Sequence, residues 1–304
     1  MPVYVEGNLQ SDAYIIVIHG GPGGNGMEYN YGKSAELLEK EFAMCYWDQR
    51  GQGNSSGNLN GTLKIQTLAD DLNVLAQLIK AKYGNSKKVF ILGHSWGGTL
   101  GTYALLNTSI QDHINGWIEV DGAHDLPMLN KSAVSMFLKY SQQEIDLGNN
   151  VDRWQEILTF INSVDSNNVS NDESGQINSY AFQAEELLGL PRGGQGVDDK
   201  GAFNYLFGTT NQVTSGIQGT ITNVQLNNEI EAFSPDNLSD IHVPSLILWG
   251  KYDFVVPARL GYTAASQINH PDVELVIFEQ SGHSPMDNEP ELYVQKVVDF
   301  VNRN

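Results

Sequence analysis

Val89-Phe90-Ile91-Leu92-Gly93-His94-Ser95-Trp96-Gly97-Gly98-Thr99-Leu100-Gly101 is the stretch that decides how this chain folds. Its first four residues are apolar and read as a strand buried on both faces. The small-residue run from Gly98 towards Leu106 reads as a helix packed closely against that strand. Between them, G-x-S-x-G marks a sharp strand-to-helix turn. Such a turn strains the backbone of its central serine, and side chains two positions away would collide, so Gly93 and Gly97 are needed there. A serine lifted out on this turn is placed to act as a nucleophile.

Working outward, the same strand-then-helix pattern recurs. Tyr14–Ile18 is an apolar run stopped by His19-Gly20-Gly21-Pro22-Gly23-Gly24, and Phe42–Trp47 is a second. Ser34–Glu41 reads as a short helix before it. Ile65, Leu68, Leu72, Leu75 and Ile79 form one face of a long amphipathic helix. Gly116–Val120, Ser245–Trp249 and Val273–Phe278 read as further strands, with helices over Ala258–Ile268 and Pro290–Val301. Strands alternating with helices predict an α/β fold, a mainly parallel sheet covered by helices on both faces. The alternation stops between about Asp125 and Asp236, a stretch too long to be one loop in a compact domain. Its patterns, such as Val134-Phe137-Leu138 and Trp154-Ile157-Leu158-Ile161, predict a mostly helical cap over residues 125–236. That cap is inserted into a core made of 1–124 and 237–304. Asp165–Gly175 and Arg192–Gly201 read as loops within it.

Composition narrows the function classes. With 36 acidic against 17 basic side chains, the net charge of −19 argues against a nucleic-acid partner, which requires a basic surface. A small molecule or short peptide is the expected substrate. The single cysteine, Cys45, excludes an intramolecular disulfide and is expected as a buried core thiol. No apolar run reaches the length of a membrane span. The N-terminus lacks a basic-then-apolar signal segment, which reads as a cytoplasmic protein or as an exported one with its signal trimmed. The glycine turns match neither G-x-x-x-x-G-K-[ST] nor G-x-G-x-x-G, and no cysteine–histidine cluster has zinc spacing, so neither a cofactor nor a metal is expected.

A serine hydroxyl needs a base, usually a histidine oriented by an acid. Of the seven histidines, His283 stands directly after the last strand in Gln280-Ser281-Gly282-His283-Ser284-Pro285, at the sheet edge where Ser95 emerges. His19 and His94 sit in glycine turns and are expected to brace them. His113, His242 and His270 lie in connections, and His124 is an outside candidate. Asp253, after the preceding strand, is the expected acid, with Asp121 at the end of Gly116–Val120 as its competitor. The chain order is then Ser, Asp, His, which is one known order for such a triad. The oxyanion of a tetrahedral intermediate needs preorganised N–H donors. The backbone N–H groups of Trp96, just after the serine, and of Gly21, after the first long strand, are the expected pair.

Three segments now stand together: His19-Gly20-Gly21-Pro22-Gly23, Trp47-Asp48-Gln49-Arg50-Gly51-Gln52-Gly53-Asn54-Ser55, and Gly93–Gly101. Their combination resembles the prolyl aminopeptidase (proline iminopeptidase) family of α/β-hydrolases, over roughly residues 14–125 and 243–301. The resemblance implies an α/β-hydrolase fold with Ser95, Asp253 and His283 as the triad, and it supports Gly21 and Trp96 as oxyanion donors. It also implies that Asp48 and Arg50 brace the loop beneath the site. That family places carboxylates in its cap to hold the substrate's free amine. Here Glu185, Glu186, Asp198, Asp199, Glu229 and Glu231 are available, in no matching pattern. Only 18 residues precede His19, fewer than is usual in the family.

The expected activity is a serine aminopeptidase or amidase releasing N-terminal residues from short peptides. A carboxylesterase or lactonase using the same triad is the second reading, and a non-catalytic binding protein is the third. A haloalkane dehalogenase or epoxide hydrolase would need an aspartate at position 95, and the serine speaks against both.

Overall fold

In the computed structural model, which describes residues 1–55, 63–190 and 212–304, seven strands form one sheet in the order β1-β3-β2-β4-β5-β6-β7. They are β1 (Val3–Gly7), β2 (Ala13–Ile18), β3 (Ala43–Trp47), β4 (Lys88–His94), β5 (Gly116–Val120), β6 (Ser245–Gly250) and β7 (Val273–Phe278). Every pairing is parallel except that of β1 with β3. The sheet is mainly parallel and covered by helices on both faces, as the alternation predicts.

The central strands are apolar throughout because both of their faces are covered. Tyr14, Ile16 and Ile18 of β2, with Cys45, Trp47, Val89 and Ile91, point to one layer. That layer holds α2 (Ile65–Tyr83), α3 (Trp96–Asn107) and α8 (Arg259–Gln267). Ile15, Val17, Met44, Tyr46, Phe90 and Leu92 point to the other, under α1 (Gly32–Glu41), the short α9 (Pro285–Asn288) and α10 (Pro290–Arg303). The expected α2 face, Ile65, Leu68, Leu72, Leu75 and Ile79, is buried, and Cys45 is a fully buried thiol.

Between β5 and β6 the described residues form four α-helices, α4 (Leu126–Asp146), α5 (Val151–Ile161), α6 (Asn171–Leu187) and α7 (Gln212–Glu231), and one 3-10 turn, Leu238–Asp240. They share their apolar residues with the α2/α3 layer, among them Phe137, Trp154, Ile157 and Leu226. The loop expected over Asp165–Gly175 ends early. Ser170 caps α6, accepting from Glu173 N–H at 3.3 Å while Glu173 Oε2 accepts from Ser170 N–H at 2.8 Å. This reciprocal box satisfies two orphan donors and starts a helix inside a polar, glycine-containing run. The segment Arg192–Gly201, with Asp198 and Asp199, lies outside the described residues. Among the described residues no helix is long and apolar enough to cross a membrane.

The α10 layer rests on Phe300, which is fully buried and meets Phe90 of β4 edge to face, with ring centroids 6.0 Å apart. Phe300→Ala is expected to lower unfolding free energy by about 3–5 kcal/mol through lost burial and an unfilled cavity. Urea denaturation measures it, and a loss under about 1 kcal/mol would show that the layer closes over the gap.

Candidate active site

The turn between β4 and α3 holds Ser95 at φ 58°, ψ −121°, a conformation rare for a residue with a side chain. Its surroundings leave no room for relaxation. A Cβ on Gly93 would lie 2.3 Å from Gly97 O, and one on Gly97 would lie 2.0 Å from Ile18 O. Ser95 N–H donates to Val120 O at 3.1 Å, and Ser95 O accepts from Gly98 N–H at 2.8 Å and Ala123 N–H at 3.1 Å. The serine is therefore pinned between β2 and β5, at the mouth of a cavity of about 460 Å³.

His283 lines the same cavity, and Asp253 stands behind it. His283 Nδ1–H donates to Asp253 Oδ2 at 2.9 Å, and Asp253 Oδ1 accepts from Val256 N–H at 2.7 Å. With Nδ1 donating to the carboxylate, Nε2 is the nitrogen left to accept a proton. Burial pushes His283 down to about 4, so at neutral pH it is an uncharged base. The loops after β6 and β7 meet through Gly250 and Gly282, where a Cβ on Gly250 would lie 1.9 Å from Gly282 O.

The loop after β2 is built around His19. Its Nε2 faces Gln49 N–H at 3.5 Å and its Nδ1–H donates to Gly20 O at 2.8 Å, the tautomer that satisfies both contacts. Gly20 N–H donates to Tyr29 Oη at 2.9 Å and Gly23 N–H to Gln52 Oε1 at 2.5 Å. Among the described residues no acceptor takes Gly21 N–H; Gly21, at φ 128°, lines the cavity beside Ser95. Gln49 Oε1 accepts from the Trp96 indole at 2.9 Å, while Gln49 Nε2 donates to His19 O at 3.1 Å. One buried glutamine thus ties Trp96 to His19, at the start of the loop that carries Gly21. Asp48 accepts from Gly26 N–H and Asn54 N–H at 2.9 and 2.8 Å, as a loop brace should. Arg50 instead forks onto Asp71 of α2, at 2.8 and 2.6 Å.

His94 joins this loop to the base. Its Nε2–H donates to the His283 carbonyl at 2.8 Å, which leaves Nδ1 to accept from the Tyr29 hydroxyl at 2.7 Å. Burial holds His94 neutral, down to about 3. His94, Asp121 and His283 bring one ligand-type atom each within 4.8 Å of one another. Both His94 nitrogens are already engaged and His283 Nδ1 is held by Asp253, so the trio is a poor cradle for a metal. His124 lies outside the cavity, paired through Nδ1 with Glu119 at 2.5 Å and fully buried with it. His113, His242 and His270 are also away from the cavity.

The cap carboxylates separate clearly. Glu185 of α6 lines the cavity, but Oε1 accepts from Phe254 N–H at 3.1 Å and Oε2 from His283 N–H at 3.0 Å. It ties the cap to both triad loops, so its lone pairs serve the protein's own backbone. Glu186 is exposed and does not line the cavity. Glu229 accepts from Ile65 N–H at 2.9 Å, capping α2, and Glu231 accepts from Ser174 at 3.3 Å. These three are therefore not placed to hold a substrate.

Two carboxyls that sequence reasoning missed do face the cavity: Glu28 and Asp287. Both side chains are exposed where they line it. Burial pushes Glu28 up to about 7 and Asp287 up to about 6. Glu28 accepts from Asn25 Nδ2 at 2.8 Å, and among the described residues neither carboxyl has a cationic partner. No spacing rule marks them, because one follows the glycine loop and the other follows His283 by four residues.

Comparison with known proteins agrees with this architecture. The chain matches the alpha/beta hydrolase fold family over residues 14–290. It is 27% identical over 303 residues to a proline iminopeptidase of Saccharolobus solfataricus, covering 96% of this chain and 86% of that one. A proline iminopeptidase of Heyndrickxia coagulans is 25% identical over 300 residues, covering 95% and 90%. Among solved structures, a serine hydrolase involved in carbazole degradation superposes with a TM-score of 0.65 at 17% identity, covering 99% and 94%, which shows the shared fold.

Ser95→Ala removes one cavity-facing hydroxyl and is expected to reduce turnover to background while leaving the melting temperature nearly unchanged. Asp253→Asn is expected to lower kcat on the order of 10⁴-fold, because an amide at that position stabilises the wrong imidazole tautomer. Steady-state kinetics on both variants check this, and substantial activity in either would remove that residue from the mechanism.

Proposed function

The chain belongs to the α/β-hydrolase family, and on that premise we propose that it is a serine hydrolase that releases an N-terminal residue, proline or another small one, from short peptides. Ser95 Oγ attacks the carbonyl carbon as His283 Nε2 takes its proton. The backbone N–H groups of Gly21 and Trp96 receive the oxyanion, a contribution of about 3–4 kcal/mol for one such donor. The imidazolium, held by Asp253, then protonates the departing amine. Water deacylates Ser95 by the same route in reverse.

The observation that carries the choice of substrate is the pair Glu28 and Asp287 in the cavity that opens on Ser95. Both carboxyls are open to an incoming ligand, and a protonated N-terminal amine is the group that would pair with them by charge-assisted hydrogen bonds. The volume, about 460 Å³, suits a single residue with part of its neighbour. Similarity to the proline iminopeptidases supports the same reading.

A second reading, a carboxylesterase for small acyl esters, draws on the apolar cavity wall formed by Val17, Leu38, Leu92, Phe182 and Met286. Proline p-nitroanilide and p-nitrophenyl butyrate separate the two, and turnover of the ester alone would end the peptidase reading.

The pH profile carries its own signature. Below about 7 Glu28 takes a proton and loses the charge that attracts an amine. Hence kcat/KM for an amino-terminal amide is expected to fall as pH drops through about 7, whereas for a neutral ester it holds until His283 protonates near about 4. Glu28→Gln is expected to abolish the upper limb and raise KM for the amide by about tenfold or more. Identical profiles for the two substrates would remove Glu28 from amine binding.

A further inference from the structure

Asp121 ends β5 at φ 46°, a left-handed conformation that aspartate tolerates better than most residues. The turn delivers its carboxyl into the interior behind His283, where it is fully buried. Oδ1 accepts from Gly250 N–H at 2.8 Å. Oδ2 is buried and meets no N–H or O–H donor among the described residues. What does stand within hydrogen-bond reach of the Asp121 side chain is another carboxyl, that of Asp253.

Two carboxylates at that separation cannot both be ionised, so a proton lies between them. The surrounding donors decide which group holds it. Asp253 accepts from Val256 N–H, from His283 Nδ1–H and from the Val255 backbone, and each of these bonds favours its charged form. Asp121 has Gly250 N–H alone. The other groups facing Asp121 do not reverse the balance. His94 on β4 is neutral with both nitrogens engaged. Glu185 on α6 pushes Asp253 up as well as Asp121, but Asp253 has three donors against one to hold its charge, and Tyr293 on α10 adds no charge while protonated.

We propose that Asp121 is a positioning residue for the catalytic acid: a neutral carboxylic acid whose Oδ2–H donates to Asp253 while Oδ1 accepts from Gly250. The inference rests on reading Ser95, His283 and Asp253 as a hydrolytic triad. The donated bond fixes the Asp253 carboxylate against rotation and disperses its charge. When His283 becomes an imidazolium during turnover, a carboxylate already holding this bond is a weaker base. The transferred proton therefore stays on the imidazole, ready for the leaving group. The Asp121 proton itself is never transferred.

Three variants test this in the full-length protein. Asp121→Gly suits the positive φ and deletes the donor. It is expected to lower kcat by roughly ten- to a hundredfold with little change in KM. It also moves the acid limb of kcat/KM to higher pH, since Asp253 then concentrates its charge on His283. Asp121→Asn keeps a donor and an acceptor in the same places and is expected to recover most of that loss, together with the wild-type limb. Asp253→Asn, by contrast, is not rescued. Infrared difference spectra of wild type against Asp121→Asn, taken well above pH 7, are expected to show the carbonyl stretch of one protonated carboxyl missing from the variant. An Asn variant as slow as the Gly variant, a Gly variant with full activity, or the absence of that band would overturn the proposal. If the Gly variant does not fold, the Asn profile and the infrared band decide. If Ser95 reacts with neither substrate nor a fluorophosphonate probe, the hydrolytic reading fails, while the infrared band still reports where the proton lies.

Discussion

The hydrogen bond from His283 Nδ1 to Asp253 Oδ2 is the contact that the rest of the sheet edge is arranged to produce. Its partners sit on separate loops, and those loops must approach to within backbone contact. Gly250 and Gly282 permit that approach, because a side chain on Gly250 would overlap Gly282 O. Lys251 N–H to Phe278 O and Tyr252 N–H to Ser281 O, both 2.9 Å, then fasten the loops together. Glu185 closes the third side from the cap by accepting one N–H from each loop. Because the bond is buried, it is shielded from competing water, and the same burial keeps His283 uncharged and able to accept a proton.

The oxyanion loop is coupled to this base through a directed chain of hydrogen bonds. Gly20 N–H donates to Tyr29, the Tyr29 hydroxyl to His94, and His94 Nε2–H to the His283 carbonyl. A carbonyl can only accept, so one end fixes the direction of every bond in the chain. Gln49 adds a second tie, between His19 and the Trp96 indole. From above, α7 touches the same loops: a Cβ on Gly23 would lie 2.8 Å from Gly219 Cα, and Thr222 donates to Gly51 O at 2.9 Å. The loop that carries Gly21, the turn that carries Ser95 and the loop that carries His283 are thus tied together by shared side chains, a preorganised arrangement without flexible surface contacts.

Legibility in the sequence follows from how local each signal is. Strands β2, β3 and β4 show as apolar runs because burial on both faces leaves no polar position. The serine turn shows because glycine is the sole residue that fits at 93 and 97. Asp253 and His283 show through their place after consecutive strands. The helix α6 was hidden, since its start depends on a two-residue exchange between Ser170 and Glu173 inside a polar run. The cap carboxylates mislead for the opposite reason. Glu185, Glu229 and Glu231 are acidic in the expected region, yet all three accept hydrogen bonds from the protein itself. The cavity's own carboxyls, Glu28 and Asp287, lie in the core segments, where a charge on a loop looks like ordinary surface.

By itself the sequence determined the α/β architecture, the glycine turn that holds Ser95 and the strand-end positions of Asp253 and His283, because periodicity, glycine sterics and strand-end position are properties of short segments. Tertiary structure decided the rest. It set which acids share a cavity, which are consumed as backbone acceptors, and that Asp253, not Asp121, bonds to His283. The physical reason is that a carboxyl's role depends on its dielectric surroundings and on the number of donors aimed at it. Both are set by residues far away along the chain.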